Sequence, residues 1–237
     1  MDWVEWEPLY RDIVSKLSLD VSLDRTATNI LTKMLRNCDP EPLLQQLKDK
    51  IIGHDVIVFG AGPSLDRHIK LILSEGGYRG SVHVAADGAV RALRKYNMHC
   101  DFLVTDLDGV GDDLTQYTEN GTLPVIHAHG NNIALLKRVL PSVSPVLGST
   151  QVQPTKRAFL WGGFTDGDRA CYMVSEYRPR RIILAGMDFG RVVGRWSKPE
   201  RPMDHPADER KAAKLEIGRF LLTRLAARSD LSFVFLQ

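Results

Sequence analysis

Cysteine is scarce in this sequence, and the three present, Cys38, Cys100 and Cys171, lie far apart without a CxxC pair. That pattern argues against a disulfide framework or a cysteine zinc site. It fits a reducing cytosol, with the cysteines as buried apolar residues. Long apolar runs are missing too. Nothing approaches the ~18 consecutive apolar residues of a membrane-spanning helix, and acids and tryptophans stand at the start where a secretory leader would be basic and then apolar. Neither charge dominates, with 31 Lys and Arg against 29 Asp and Glu, so no general field draws in nucleic acid or an anionic membrane. Internal repeats and low-complexity tracts are also lacking. These absences leave a cytoplasmic globular protein acting on small molecules, and 43% hydrophobic content over 237 residues suffices for a full core.

What is present divides into a helical region, residues 1–52, and an α/β catalytic domain, residues 53–237. Trp3, Val4, Trp6, Leu9, Tyr10, Ile13, Val14 and Leu17 recur at helical spacing, and Asp20 to Arg36 continues with Val21, Leu23, Ile30, Leu31, Met34 and Leu35. Glu41 to Ile51 follows the Asp39-Pro40 stop signal with Leu43, Leu44 and Leu47 on one side. Three amphipathic helices are expected, their aromatic rings packing a core. The alternative use of those rings is a stacking wall for a flat ligand or a homodimer face. Beyond Asp55, short apolar runs alternate with helical stretches. Strands are expected at 55–59, 81–87, 101–108, 123–129, 143–147, 158–161, 181–185 and 232–236. Helices are expected at 65–74, 89–96, around 112–118, at 132–140, from the end of 163–170 through Tyr177, and at 207–228. Such an order predicts an α/β fold: a mainly parallel, Rossmann-like sheet with helices on both faces and right-handed crossovers, preceded by the N-terminal helical region. Arg191 to Pro206 reads as a basic, proline-containing loop, either lid or linker.

Polar residues gather where the predicted strands end. Val84 to Gly88 reads VAADG and Phe102 to Gly109 reads FLVTDLDG, apolar runs that break into Asp87, Asp106 and Asp108 and then into glycine. Buried parallel strands end this way when they deliver acids to a ligand crevice. Asp106 and Asp108 fall on one side of an extended chain, and hard divalent cations prefer such oxygens, so a magnesium site is the natural proposal. The competing reading makes Asp108-Gly109 a turn and Asp106 a capping acid. At the next strand end His127 and His129 share a side, followed by Gly130-Asn131-Asn132. No Cys or Glu companion completes a zinc set, so phosphate binding or proton handling near a reacting hydroxyl is expected there.

Gly60-Ala61-Gly62-Pro63-Ser64 joins the first strand to a helix as a candidate phosphate cradle, its glycines permitting close approach and Ser64 capping the helix. The third glycine of the dinucleotide fingerprint is Leu65 here, and no Walker lysine follows; a plain tight turn explains the loop equally well. Thr165, Asp166, Asp168 and Arg169 at a predicted helix start suit a nucleotide or a metal-bound phosphate, or else simply cap that helix. The Asp188-Phe189-Gly190 triplet stands without the companion motifs of a protein kinase.

Taken in order, GAGPSL (60–65), AADGA (85–89), TDLDG (105–109), HAHGNN (127–132), GFTDGDRA (163–170) and GMDFG (186–190) resemble the archaeal 6-hydroxymethyl-7,8-dihydropterin pyrophosphokinase family. The tryptophan-bearing first helix and Lys214-Leu215-Glu216 extend the likeness over nearly the whole chain. The resemblance implies magnesium-dependent transfer of diphosphate from ATP to a reduced pterin's hydroxymethyl group, releasing AMP, in folate or methanopterin synthesis. It also implies a catalytic domain similar to that of thiamin pyrophosphokinase, with Asp87, Asp106 and Asp108 as metal ligands. Where thiamin pyrophosphokinases have further acids at the third strand end, this chain has His127, His129, Asn131 and Asn132, which argues against thiamin as acceptor. Catalysis is then expected of Asp106, Asp108, His127 and His129. Nucleotide binding is expected of Gly60, Gly62, Pro63, Ser64, Asp87, Gly88, Asn131, Asn132, Thr165, Asp166, Arg169 and Asp188. A related domain occurs in bacterial flagellin-glycosylation proteins, so a metal-dependent nucleotide-sugar glycosyltransferase and a non-catalytic nucleotide-binding module stand as alternatives.

Overall fold

The computed structural model describes residues 1–110, 114–228 and 230–237. Its centre is β1 (Asp55–Phe59), buried at every position, which is why it reads as an apolar run after Asp55. Around it form β2 (Val82–Ala86), β3 (Phe102–Thr105), β4 (Leu123–Ala128), β5 (Leu147–Thr150), β6 (Ala158–Phe159), β7 (Arg181–Ala185) and β10 (Ser232–Phe235). Among the described residues these make one eight-stranded parallel sheet in the order β10-β7-β1-β2-β3-β4-β5-β6. A small hairpin, β8 (Val192–Val193) with β9 (His205–Pro206), stands apart from it.

Alternation along the strands divides the core in two. Ile57, Phe59, Ala85, Leu103, Ile126 and Ile183 face a layer built by α2 (Val21–Met34), α4 (Leu65–Ser74), α5 (Ala89–Lys95), α6 (Leu114–Glu119) and α7 (Ile133–Val139). Val56, Val58, Val84, Phe102, Val104 and Ile182 face α3 (Glu41–Ile51), α8 (Asp166–Ser175) and α9 (Glu209–Arg228). In α1 (Trp3–Leu17), Trp6, Tyr10, Ile13 and Leu17 pack a third cluster with Val152, Leu160, Tyr172 and Leu221. Trp6 and Tyr10 therefore serve the core and offer no stacking wall.

The elements depart from expectation where proline and glycine interrupt them. The strand expected at 143–147 starts only at Leu147 and runs to Thr150, because Pro145 has no amide for the ladder while Val143 and Val146 still bury their side chains. β6 is two residues long where four were expected, and the basic loop contains the unforeseen β8–β9 hairpin. The start expected for α6 at Asp112 lies outside the described residues. β1 pairs with β2 on one side and β7 on the other, so the order in which strands are added to the sheet reverses beside β1, while all run parallel. The crevice beyond the carboxyl ends of such strands is where open α/β sheets bind ligands.

Candidate active site

Each strand carries a different polar load past its last buried residue, and neighbouring strands bring these loads together. After β2, Asp87 turns with φ of 46° and its Oδ1 accepts from the Thr105 hydroxyl at 2.6 Å and the Gly109 amide at 3.1 Å. After β3, Asp106 Oδ1 accepts from the Asp108 amide at 3.2 Å and Asp106 Oδ2 receives His129 Nε2 at 3.0 Å. Asp87, Asp106 and Asp108 each present a carboxylate oxygen within 4.8 Å of the other two.

The charges in this cluster oppose one another. Burial, and then the charges of Asp106 and Asp108, push the Asp87 carboxyl well above the ordinary range. Burial followed by Asp106 and Asp87 does the same to Asp166 at the start of α8. Burial also works against Asp106, yet the hydrogen bond from His129, with that of the Asp108 amide, outweighs it and holds that carboxyl well below the ordinary range. Crowded carboxylates out of water are the circumstance in which a divalent cation is welcome.

The histidines are committed. His129 Nδ1 accepts from the Asn131 amide at 3.2 Å, so the ring proton sits on Nε2 and points to Asp106. Asn132 ties the ends of β3 and β4, donating to the carbonyls of Asp106 (2.9 Å) and His127 (2.7 Å) and accepting from the His129 amide (3.0 Å). His127 is buried between Ser149 Oγ at 3.3 Å and Gln151 Oε1 at 3.4 Å, and burial, with Arg169 next, keeps it neutral far below the usual histidine range.

The glycine loop after β1 meets the loop after β7. Ser64 donates its amide (3.2 Å) and hydroxyl (2.9 Å) to Asp188 Oδ2, so the start of α4 already holds an internal anion. The capping expected of Ser64 is replaced by that bond, since its side chain makes no cap contact. A Cβ on Gly62 would lie 2.0 Å from Asp188 Oδ2 and 2.6 Å from the Gly186 carbonyl, so glycine is required there by the seam between the two loops. At the start of α8, Asp168 accepts from the amides of Phe164 (2.6 Å) and Thr165 (2.9 Å) and from the Thr165 hydroxyl, a capping arrangement. Arg169 is 1% exposed, and Nη2 donates to the Phe164 carbonyl at 3.0 Å. Burial lowers its basicity while Asp166, Asp168, Asp106 and Asp24 sustain its charge.

One cleft gathers Gly60, Gly62, Asp87, Asp106, Asp108, His127, His129, Asn131, Thr165, Asp166 and Asp188. Pro63, Ser64, Gly88, Asn132 and Arg169 are not part of its wall, and the last two act from behind. Asp24, Gln151, Lys198, Lys211 and Lys214 line it without having been singled out as site residues. Asp24 accepts from the Tyr10 hydroxyl (2.5 Å), Gln151 Nε2 (2.7 Å) and the Gly130 amide (2.7 Å). Its signal was a carboxylate on the buried stripe that Thr28, Leu31 and Leu35 continue. Lys198 pairs through Nζ with Asp108 Oδ2 and comes from the loop between β8 and β9.

A parallel sheet with a carboxylate cluster in the crevice at its carboxyl edge places the chain among the Rossmann-like α/β proteins that take ligands at that edge. Residues 28–193 match the family described as 6-hydroxymethylpterin diphosphokinase MptE-like. The chain belongs to that family and is a transferase of the diphosphokinase class. It is 36% identical over 242 residues to the 6-hydroxymethyl-7,8-dihydropterin pyrophosphokinase of Methanocaldococcus jannaschii, covering 99% of this chain and 100% of that one. To the protein of the same name from Pyrococcus furiosus it is 39% identical over 222 residues, covering 94% and 93%. To that from Methanothermobacter thermautotrophicus it is 38% identical over 231 residues, covering 96% and 95%. Among solved structures it is similar to the MAf glycosyltransferase of Magnetospirillum magneticum AMB-1, with a TM-score of 0.49 and 16% identity over 81% of this chain and 37% of that one.

Proposed function

We propose that the protein transfers diphosphate from ATP to the hydroxymethyl group of a reduced pterin and releases AMP, using magnesium held by Asp87, Asp106 and Asp108. The observation that carries this reading is the acid trio, with its ligand atoms mutually within 4.8 Å and the Asp87 carboxyl pushed up by burial and by the charges of the other two. Hard oxygens in that number suit a cation that keeps part of its water shell for phosphate oxygens. A divalent cation there would supply positive charge against the oxygens of the polyphosphate.

The chain's own residues then divide the work. His129 orients Asp106 through Nε2–H, and Asn132 holds the two strand ends in register. With both of its nitrogens engaged, His129 positions a carboxylate, and the proton acceptance first expected of it is not proposed. Lys198, Lys211 and Lys214 provide positive charge in the same cleft as the acids, as a chain of phosphates requires. The acceptor oxygen bonds to the β-phosphorus as the bond from that phosphorus to the α–β bridging oxygen breaks. In a loose transition state the acceptor hydroxyl loses its proton late, to water or a phosphate oxygen, so no strong base is needed beside it. Among the described residues no helix is long and apolar enough to cross a membrane, and a cytoplasmic enzyme acting on small molecules is the setting proposed.

Incubation with ATP, magnesium and reduced 6-hydroxymethylpterin should yield AMP and a pterin diphosphate in equal amounts. EDTA should abolish the reaction and added magnesium restore it. ADP as the main nucleotide product, or an unchanged rate in EDTA, overturns the reading.

A further inference from the structure

The loop between β8 and β9 is a strap fixed across the acid cluster. Arg195 Nε (3.1 Å) and Trp196 Nε1 (2.7 Å) both donate to Asp66 Oδ2, and Arg91 Nη2 donates to the Trp196 carbonyl at 2.6 Å. The Trp196 ring lies 5.2 Å from the Arg195 guanidinium and 5.5 Å from the Lys95 ammonium. A Cβ on Gly88 would lie 2.0 Å from the Trp196 carbonyl, and one on Gly109 would lie 1.9 Å from Asp87 Oδ2 and 2.8 Å from the Ser197 carbonyl. The glycines closing both acid motifs are therefore the seat of this strap. Its next residue is Lys198, whose ammonium pairs with Asp108.

We propose that Lys198 is a cation placeholder and phosphate ligand: it neutralises Asp108 while the acid trio is empty and passes to the phosphate chain once a divalent cation takes that carboxylate. The inference rests on the metal-bound diphosphate reading above. An ammonium and a divalent cation at one carboxylate oxygen repel each other, so they exclude one another there. The strap's backbone is pinned, but the lysine stem is flexible and its side chain is 30% exposed, so the ammonium has both freedom and room to leave. Lys198 meets Asp108 directly, and Asp106 and Asp87 stand within 4.8 Å of that carboxylate, so the ammonium faces the whole acid trio. A compact, permanently charged donor released beside a polyphosphate binds it as a point charge.

Calorimetric titration with Mn2+ alone, and then with inorganic diphosphate in the presence of Mn2+, separates the two halves of the role. Lys198→Gln should bind Mn2+ severalfold more tightly than the parent and bind diphosphate about tenfold more weakly, with Lys198→Arg restoring diphosphate affinity. Lys211→Gln, which removes another cleft charge that does not contact Asp108, should leave Mn2+ affinity within about twofold. Asp66→Asn loosens the strap and should reproduce both effects of Lys198→Gln in weaker form. Equal Mn2+ affinity in Lys198→Gln and the parent, an equal gain in Lys211→Gln, or parental diphosphate affinity without the lysine would each overturn the proposal. These titrations contain no pterin and no turnover, so a failure of the proposed reaction would appear separately, as absence of AMP from the parent protein.

Discussion

Asp106 and Asp108 are neighbours with different supports. Asp106 is held by His129 and by the Asp108 amide, whereas Asp108 is more open and answers to Lys198. Both feed the same cluster, so replacing either with Asn should lower turnover a hundredfold or more, about 3 kcal/mol of transition-state stabilisation. Steady-state kinetics on the two variants checks this, and near-parental turnover in both would remove the acids from the chemistry. Asp108→Asn should leave thermal unfolding nearly unchanged, whereas Asp106→Asn should lower it modestly, because it gives up the bond from His129 that holds that carboxyl below the ordinary range. A marked loss of stability would mean that the acids hold the fold together.

At the scale of elements, loops rather than strands decide what the site can do. The β1–α4 turn is shut against the β7 loop by Asp188, so Gly62→Val should drive a side chain into the Asp188 carboxylate and the Gly186 carbonyl. The expected cost is about 3 kcal/mol or more, read as a lower urea midpoint. A parental midpoint would show that the seam gives way and that the glycine answers to a ligand instead.

Much of this element order was legible in the residues. β1 was readable because burial on both faces leaves it only apolar side chains after Asp55, and Asp87, Asp106 and Asp108 were readable because acids followed by glycine have little reason to end a buried strand. The small residues of β5 were not, since Leu147 to Thr150 draws its strand character from neighbours on both sides and not from its own side chains. The roles of Ser64 and Asp188 were hidden for a related reason. A glycine turn before a helix looks the same whether its amides face a phosphate or a carboxylate supplied from 124 positions away. Lys198 and Asp24 reach the cleft from outside the strand-end pattern, through a strap and an N-terminal helix, and only tertiary packing reveals them.

Across the whole molecule the two edges of the sheet have opposite electrostatics. At the amino edge Asp55 is buried and well paired, accepting from Arg180 Nε and Nη2 at 2.6 Å each and from Arg181 at 2.8 Å. The Arg180 hydrogen bonds, against a burial cost and with help from Arg181, lower its carboxyl from 3.8 to about 2. The folded value is depressed, so this stabilisation is complete above about pH 4 and is lost as pH falls toward 2; the displacement is worth about 2 kcal/mol at neutral pH. Asp55→Asn should therefore lower stability at pH 7 and flatten the acid limb between about pH 4 and pH 2, and an acid limb identical to the parent's would show that the pair contributes nothing. At the carboxyl edge the carboxylates repel, and that edge is where the chemistry is proposed. The most direct measurement follows the label from ATP carrying distinguishable isotopes in its β- and γ-phosphates, with reduced 6-hydroxymethylpterin and magnesium. The account predicts that both labels arrive together in a single pterin product while unlabelled AMP accumulates; recovery of the γ label alone on the pterin, with the β label left in ADP, would contradict it.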